Sequence, residues 1–259
     1  CESWNANCQM TIETGYVVYN HNPYILKYAS NGTIERLTTM NGDGADFVQA
    51  MVPVDDSRVL IAGNHYSSTL YAGSLSVYNS GGSDAWYAIY NHSSYQFENL
   101  WDSKSDGNEA FHSAAVMPDG NFVIGGTQCW GNGADCPFSI ETKPGSESTR
   151  YSSTNAEGFL MLHDAEWDSI AWMRGIDVHD YSESTASYPS NLAVSNTGNI
   201  ATNFPVCVSD NHTGCTAGIG DQIFSSVDNA TLIYQITFDL SLIHISEPTR
   251  PRLISYAVF

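Results

Sequence analysis

Asp106-Gly-Asn-Glu-Ala-Phe-His-Ser-Ala-Ala-Val-Met-Pro-Asp-Gly-Asn-Phe-Val-Ile-Gly-Gly126 decides the reading of the fold, because it recurs. Upstream, Asp43-Gly-Ala-Asp-Phe-Val-Gln-Ala-Met-Val-Pro-Val-Asp-Asp-Ser-Arg-Val-Leu-Ile-Ala-Gly63 aligns with it without a gap, Asp43 on Asp106 and Gly63 on Gly126. Downstream, Tyr188-Pro-Ser-Asn-Leu-Ala-Val-Ser-Asn-Thr-Gly-Asn-Ile-Ala-Thr-Asn203 lays Gly198-Asn199 on Gly120-Asn121. Internal self-similarity of this kind marks a repeated supersecondary unit. Each copy runs from a small-residue strand through a tight polar turn into an apolar strand, the pattern of a β-hairpin.

A second hairpin alternates with the first. Its copies open at Tyr24-Ile-Leu-Lys-Tyr, Asp84-Ala-Trp-Tyr-Ala-Ile-Tyr, Glu157-Gly-Phe-Leu-Met-Leu and Asp221-Gln-Ile-Phe-Ser-Ser. Two hairpins per unit make a four-stranded antiparallel sheet, the blade of a β-propeller. The chain then holds about three and a half blades, fewer than the four that a propeller needs to close. The matches Asp84-Ala85-Trp86, Trp101, Trp172 and Asp119-Gly120-Asn121 carry a resemblance to the β-propeller repeat family typified by bacterial surface proteins. That resemblance implies an all-β, β-propeller fold over residues 1–239, incomplete in this chain. Longer loops between hairpins, and the cysteines in them, depart from the family pattern. A β-sandwich built of hairpins is the other all-β arrangement consistent with these strands.

Residues 240–259 stand apart. Leu240-Ser-Leu-Ile-His-Ile-Ser-Glu-Pro-Thr-Arg250 resembles the translation of a transposase-end sequencing adaptor, and Ile254-Ser-Tyr-Ala-Val-Phe259 resembles the flow-cell end of the same oligonucleotide. Pro251, Arg252 and Leu253 fall where a sample index would lie. The segment is expected to be a non-native, adaptor-derived tail, excluded from fold reasoning.

The chain has 9 basic against 28 acidic residues, a net charge of −19. Nucleic acid and anionic membrane both require basic patches, so neither is an expected partner. No apolar run reaches the length of a membrane span. Fifteen Tyr and six Trp, with Gly, Ser, Asn and Thr between short apolar runs, fit an all-β extracellular protein.

The cysteines form three local pairs, Cys1 with Cys8, Cys129 with Cys136 and Cys207 with Cys215, and Cys129 aligns on Cys207 within the repeat. No Cys-x-x-Cys occurs, so disulfide staples are expected rather than a metal site, and they imply an oxidising, secreted location. Asn-x-Ser/Thr sequons stand at Asn31, Asn91, Asn211 and Asn229, with Asn31, Asn91 and Asn229 assigned to the same turn of three different blades.

No Gly-x-Ser-x-Gly, His-Glu-x-x-His or phosphate-loop motif is present, so no catalytic residue and no enzyme is expected. His112 lies on a predicted inner strand as a packed or channel-lining residue. Trp86, Trp101, Trp167 and Trp172 read as core. Asn41-Gly-Asp-Gly-Ala-Asp46 and Asp102-Ser-Lys-Ser-Asp-Gly-Asn-Glu109 resemble calcium loops only superficially, since neither fits the twelve-residue pattern and Lys104 takes a ligand place. Turn chemistry accounts for their Asp-Gly pairs, so no cofactor or metal is expected.

The expected function is a non-enzymatic extracellular glycoprotein module, a scaffold or subunit of a surface or filament assembly. Its partners would be identical subunits or other wall proteins, with Trp130 and Tyr66 as contacts and glycans attached. The alternative is a carbohydrate-binding or glycan-active propeller with its site at the channel mouth.

Overall fold

A computed structural model describes residues 9–11, 17–19, 21–128, 136–143, 146–152, 157–165, 169–179, 189–205, 215–219, 222–226 and 231–236. All regular structure among them is β-strand, and no helix there is long and apolar enough to cross a membrane. The strands are β1 (Gln9–Thr11), β2 (Val17–Tyr19), β3 (Tyr24–Tyr28), β4 (Ile34–Thr39), β5 (Asp46–Pro53), β6 (Arg58–His65) and β7 (Thr69–Ala72). Then follow β8 (Leu75–Tyr78), β9 (Asp84–Asn91), β10 (Gln96–Lys104), β11 (Ala110–Val116), β12 (Phe122–Gln128), β13 (Cys136–Lys143) and β14 (Ser146–Ser152). The last are β15 (Glu157–Asp164), β16 (Ser169–His179), β17 (Asn191–Val194), β18 (Ile200–Pro205), β19 (Cys215–Ile219), β20 (Gln222–Ser226) and β21 (Thr231–Ile236).

The repeat survives as paired hairpins that agree in fine detail. β5 pairs with β6 and β11 with β12, and the register shifts between Val48 and Ala50 in one and between Phe111 and Ser113 in the other. These are aligned positions. A side chain at Gly63 would overlap the Phe47 carbonyl oxygen, and one at the aligned Gly126 would crowd the Ala110 carbonyl oxygen. The third hairpin, β17 with β18, has Phe204 at that position and pairs without a shift from Asn191. Gly120 and Gly198 hold φ of 90° and 82° in equivalent turns, a conformation that costs glycine little and other residues much.

The sheets stack face to face. One meander has the order β14-β13-β10-β9-β6-β5, a second β11-β12-β15-β16-β19-β20, and a three-stranded sheet runs β17-β18-β21. β9, reading Asp-Ala-Trp-Tyr-Ala-Ile-Tyr-Asn, is buried on both faces because it lies between layers, which is why it is a continuous apolar run rather than an alternating one. Its Ala85, Tyr87 and Ile89 join Leu60, Trp101, Phe111, Ile124 and Phe159 in the core between the two meanders. Its Trp86, Ala88 and Tyr90 face the other way, onto Met40 and onto Leu70, Ala72 and Val77 of the β7–β8 hairpin. Each fully buried Leu, Ile or Phe stabilises the fold by roughly 1.5–3 kcal/mol. Trp86 and Trp101 are core, as the sequence predicts, and Trp172 is half-buried.

The propeller expectation is overturned. The sheets are separate, and none closes or curls into a ring of four-stranded blades. The long loops supply the physical reason: they fold into hairpins of their own, so β13–β14 lengthens the first meander beyond β10 and β19–β20 lengthens the second beyond β16. The strand at 221 does not open a second-type hairpin either. β20 pairs with β19, while β21 takes the place beside β18.

Among the described residues there is no disulfide bond. The side chains of Cys1, Cys8, Cys129, Cys136, Cys207 and Cys215 lie outside those residues, as do Trp130, Asn211 and Asn229. Residues 240–259 also lie outside them, and nothing in the structure supports an adaptor origin for that segment.

Candidate metal centre and adjoining cleft

Three neighbouring strands of the first meander, β6, β9 and β10, bring side chains together at one end of the sheet. The register places His65, the last residue of β6, opposite Asp84, the first of β9, and Asp102 of β10 opposite Trp86. Cross-strand partners share a face, so all three side chains point toward the layer that holds the β7–β8 hairpin. His65 and Asp84 are fully buried and Asp102 nearly so. One ligand atom from each lies within 4.8 Å of the others.

Loops wall the cluster in. His65 Nδ1 donates to the Ser67 carbonyl oxygen at 3.1 Å, which fixes the proton on Nδ1 and leaves the Nε2 lone pair facing the carboxylates. Asp84 Oδ2 accepts from the Ser80 amide at 2.7 Å, while its Oδ1 and His65 Nε2 have no hydrogen-bond partner. Lys104 Nζ stands 2.5 Å from Asp102 Oδ2 and donates to the Tyr78 carbonyl oxygen at 2.7 Å. Burial is the main force on the titratable groups. It pushes Asp84 up to about 7, aided by the charge of Asp102. It pulls His65 down to about 4, with the Lys104 charge adding to the fall. At neutral pH the imidazole is uncharged, so its 4.0 Å approach to the Asp102 carboxylate is not an ion pair.

On the opposite face of the same strand ends lies an open cleft of about 210 Å³, lined by Phe47, Gln49, Asn64, Tyr66, Ser83, Asn108, Glu109, Ala110, His112 and Thr127. Alternation along the strands creates this arrangement: Asn64 and Ser83 face the cleft, and their neighbours His65 and Asp84 face the cluster. Phe47 and Tyr66, both exposed, meet edge to face with centroids 6.4 Å apart. Buried Glu109 accepts from the Ser105 hydroxyl at 2.5 Å, and His112 Nε2 lies 3.1 Å from Thr127 Oγ1. Burial pulls the His112 pKa down to about 4, so the cleft carries no imidazolium at neutral pH.

The two calcium-like loops are otherwise engaged. Asp43 binds the Ser68 amide and hydroxyl at 2.7 and 2.6 Å, and Asp46 binds the Ser67 hydroxyl at 2.7 Å, so both carboxylates clamp the loop that carries Tyr66. Asp102 belongs to the His65 cluster instead, with Lys104 beside it. Of the predicted contacts, Tyr66 stands on the cleft rim.

Sequence reasoning missed His65 and Asp84 because Asp84 reads as the start of a strand motif and His65 as the end of one. Their signal was a polar residue terminating an apolar strand that is covered on both faces. A His with two carboxylates is a metal-ligating set, and a metal so held can polarise a carbonyl or activate water. That overturns the expectation of a chain without catalytic potential. No protein-family model matches the chain, and no curated protein is similar to it, so the resemblance to propeller surface proteins gains no support.

Proposed function

We propose that this chain is an extracellular carbohydrate-binding protein whose cleft between β5–β6 and β11–β12 takes a neutral saccharide. The observation that carries this reading is the exposed Phe47–Tyr66 pair beside the amides of Gln49, Asn64 and Asn108. Aromatic faces cover the apolar face of a sugar ring, while fixed amides and carboxylates read its hydroxyls. Glu109 and the uncharged His112 disfavour an anionic sugar, as does the chain's net charge of −19. A glycan-active enzyme would use the same cleft, with Glu109 and His112 as its proton-transfer groups. Assembly with identical subunits or other wall proteins ranks behind both, because Tyr66, one of its two expected contacts, borders the cleft.

A glycan array followed by titration calorimetry tests the proposal. The expected result is saturable binding of a neutral glycan, weakened at least tenfold by Phe47→Ala or Tyr66→Ala while the melting temperature stays unchanged. Binding that is absent across the array, or indifferent to both substitutions, would refute it. Mass spectrometry of the bound glycan after incubation separates binding from turnover.

A further inference from the structure

We infer that His65, Asp84 and Asp102 bind one divalent transition-metal ion of the zinc type, with Lys104 as the cation that neutralises Asp102 when the metal is absent. The inference is independent of the carbohydrate reading, since the cluster lies on the opposite face of the sheet.

Two buried polar atoms point to a ligand. His65 Nε2 and Asp84 Oδ1 belong to side chains with no exposure and have no hydrogen-bond partner, and each of these two side chains has a ligand atom within 4.8 Å of the other's and of one from Asp102. Folded proteins rarely leave such atoms unmatched, because each loses its hydration without compensation. A metal ion satisfies both at once. The Nδ1 hydrogen bond to the Ser67 carbonyl gives His65 the tautomer and the orienting outer contact typical of imidazole ligands.

Charge and donor type choose the ion. Two carboxylates and one neutral imidazole offset a divalent cation, and the half-exposed Lys104 side chain can then move its ammonium toward solvent. An imidazole nitrogen among the donors favours zinc or a neighbouring transition metal over calcium or magnesium, which take oxygen ligands. The 4.8 Å span is somewhat wider than the distance between ligands at about 2.1 Å from one ion, so small side-chain rotations complete the site. Three protein ligands leave further positions on the ion for water or a loop carbonyl.

The test uses the full chain stripped with a chelator and titrated calorimetrically with Zn²⁺ alone, with Mn²⁺ and Ca²⁺ in parallel. One equivalent of Zn²⁺ should bind at micromolar Kd or tighter, with Ca²⁺ at least a hundredfold weaker. Asp84→Asn and His65→Gln should each weaken Zn²⁺ binding a hundredfold or more, and the His65 Nε2 resonance should shift selectively on Zn²⁺ addition to the unsubstituted protein. No saturable Zn²⁺ binding, an unshifted His65 resonance, or Zn²⁺ binding undiminished in both variants would overturn the site. Lys104→Met decides the matter should those variants fail to fold. If Lys104 only stands in for the metal, this variant binds Zn²⁺ at least as tightly and regains its melting temperature on adding it. If Lys104 is the permanent counter-ion, the variant melts lower and Zn²⁺ restores nothing.

Discussion

His112 sits half-buried in the cleft against the Thr127 hydroxyl, and burial holds its pKa near 4, well below the ordinary 6.5. The unfolded chain takes up a proton there as pH falls through about 6.5, whereas the folded chain resists until about 4. Stability from this residue is therefore complete above pH 6.5 and drains away between 6.5 and 4. His65 has the same sign, so the comparison must be between proteins that differ only at 112. His112→Gln keeps a polar group near Thr127 and should flatten the acid limb of a plot of unfolding free energy against pH. Urea titrations at half-unit intervals of pH check this, and superimposable slopes would show that His112 titrates alike in both states.

At the scale of the element, the two bulged hairpins depend on one glycine each. Gly63 and Gly126 face the carbonyl oxygens of Phe47 and Ala110, where neither hairpin has room for a Cβ. Overpacking of this kind typically costs about 1–3 kcal/mol, and the obstacle is backbone, which gives way less readily than a side-chain tip. Gly63→Ala and Gly126→Ala should each lower stability by about that amount in denaturant titration. The aligned residue in the third hairpin is Phe204, which already carries a Cβ, so no such backbone penalty attaches to that position. Equal tolerance of alanine at 63 and 126 would mean that the bulges are not what the glycines serve.

Across the whole molecule, stability is shared between layers. Phe111 of the second meander is fully buried against Tyr87 of the first, edge to face at 5.5 Å, and against Phe159 at 5.9 Å. Tyr87 in turn stacks on Trp101 at 4.7 Å and meets His163 Nδ1 through its hydroxyl at 2.9 Å. Phe111→Ala should cost about 3–5 kcal/mol, since it empties the core at the contact between the meanders. Both should then unfold in one transition at lower denaturant, with amides of β6 and β12 exchanging together. A loss confined to β12, with β6 still protected, would mean that the meanders fold independently.

Local chemistry was legible in the sequence. The small-residue strand, the Asp-Gly-Asn turn and the apolar return strand specify antiparallel neighbours through turn geometry and two-residue periodicity, so the hairpins and the buried Trp86 and Trp101 follow from residues close in the chain, whereas the bulge they share appeared only in the observed register. Tertiary structure decided what such periodicity does not encode. Hairpin signals say which strands pair, but not which edge a long loop will extend, and that choice made six-stranded meanders out of expected four-stranded blades. It also brought His65, Asp84 and Asp102 together from three strands, none of which points to the other two in its own segment. Their convergence depends on cross-strand register and on the β7–β8 layer that removes water from them, and a linear pattern carries neither.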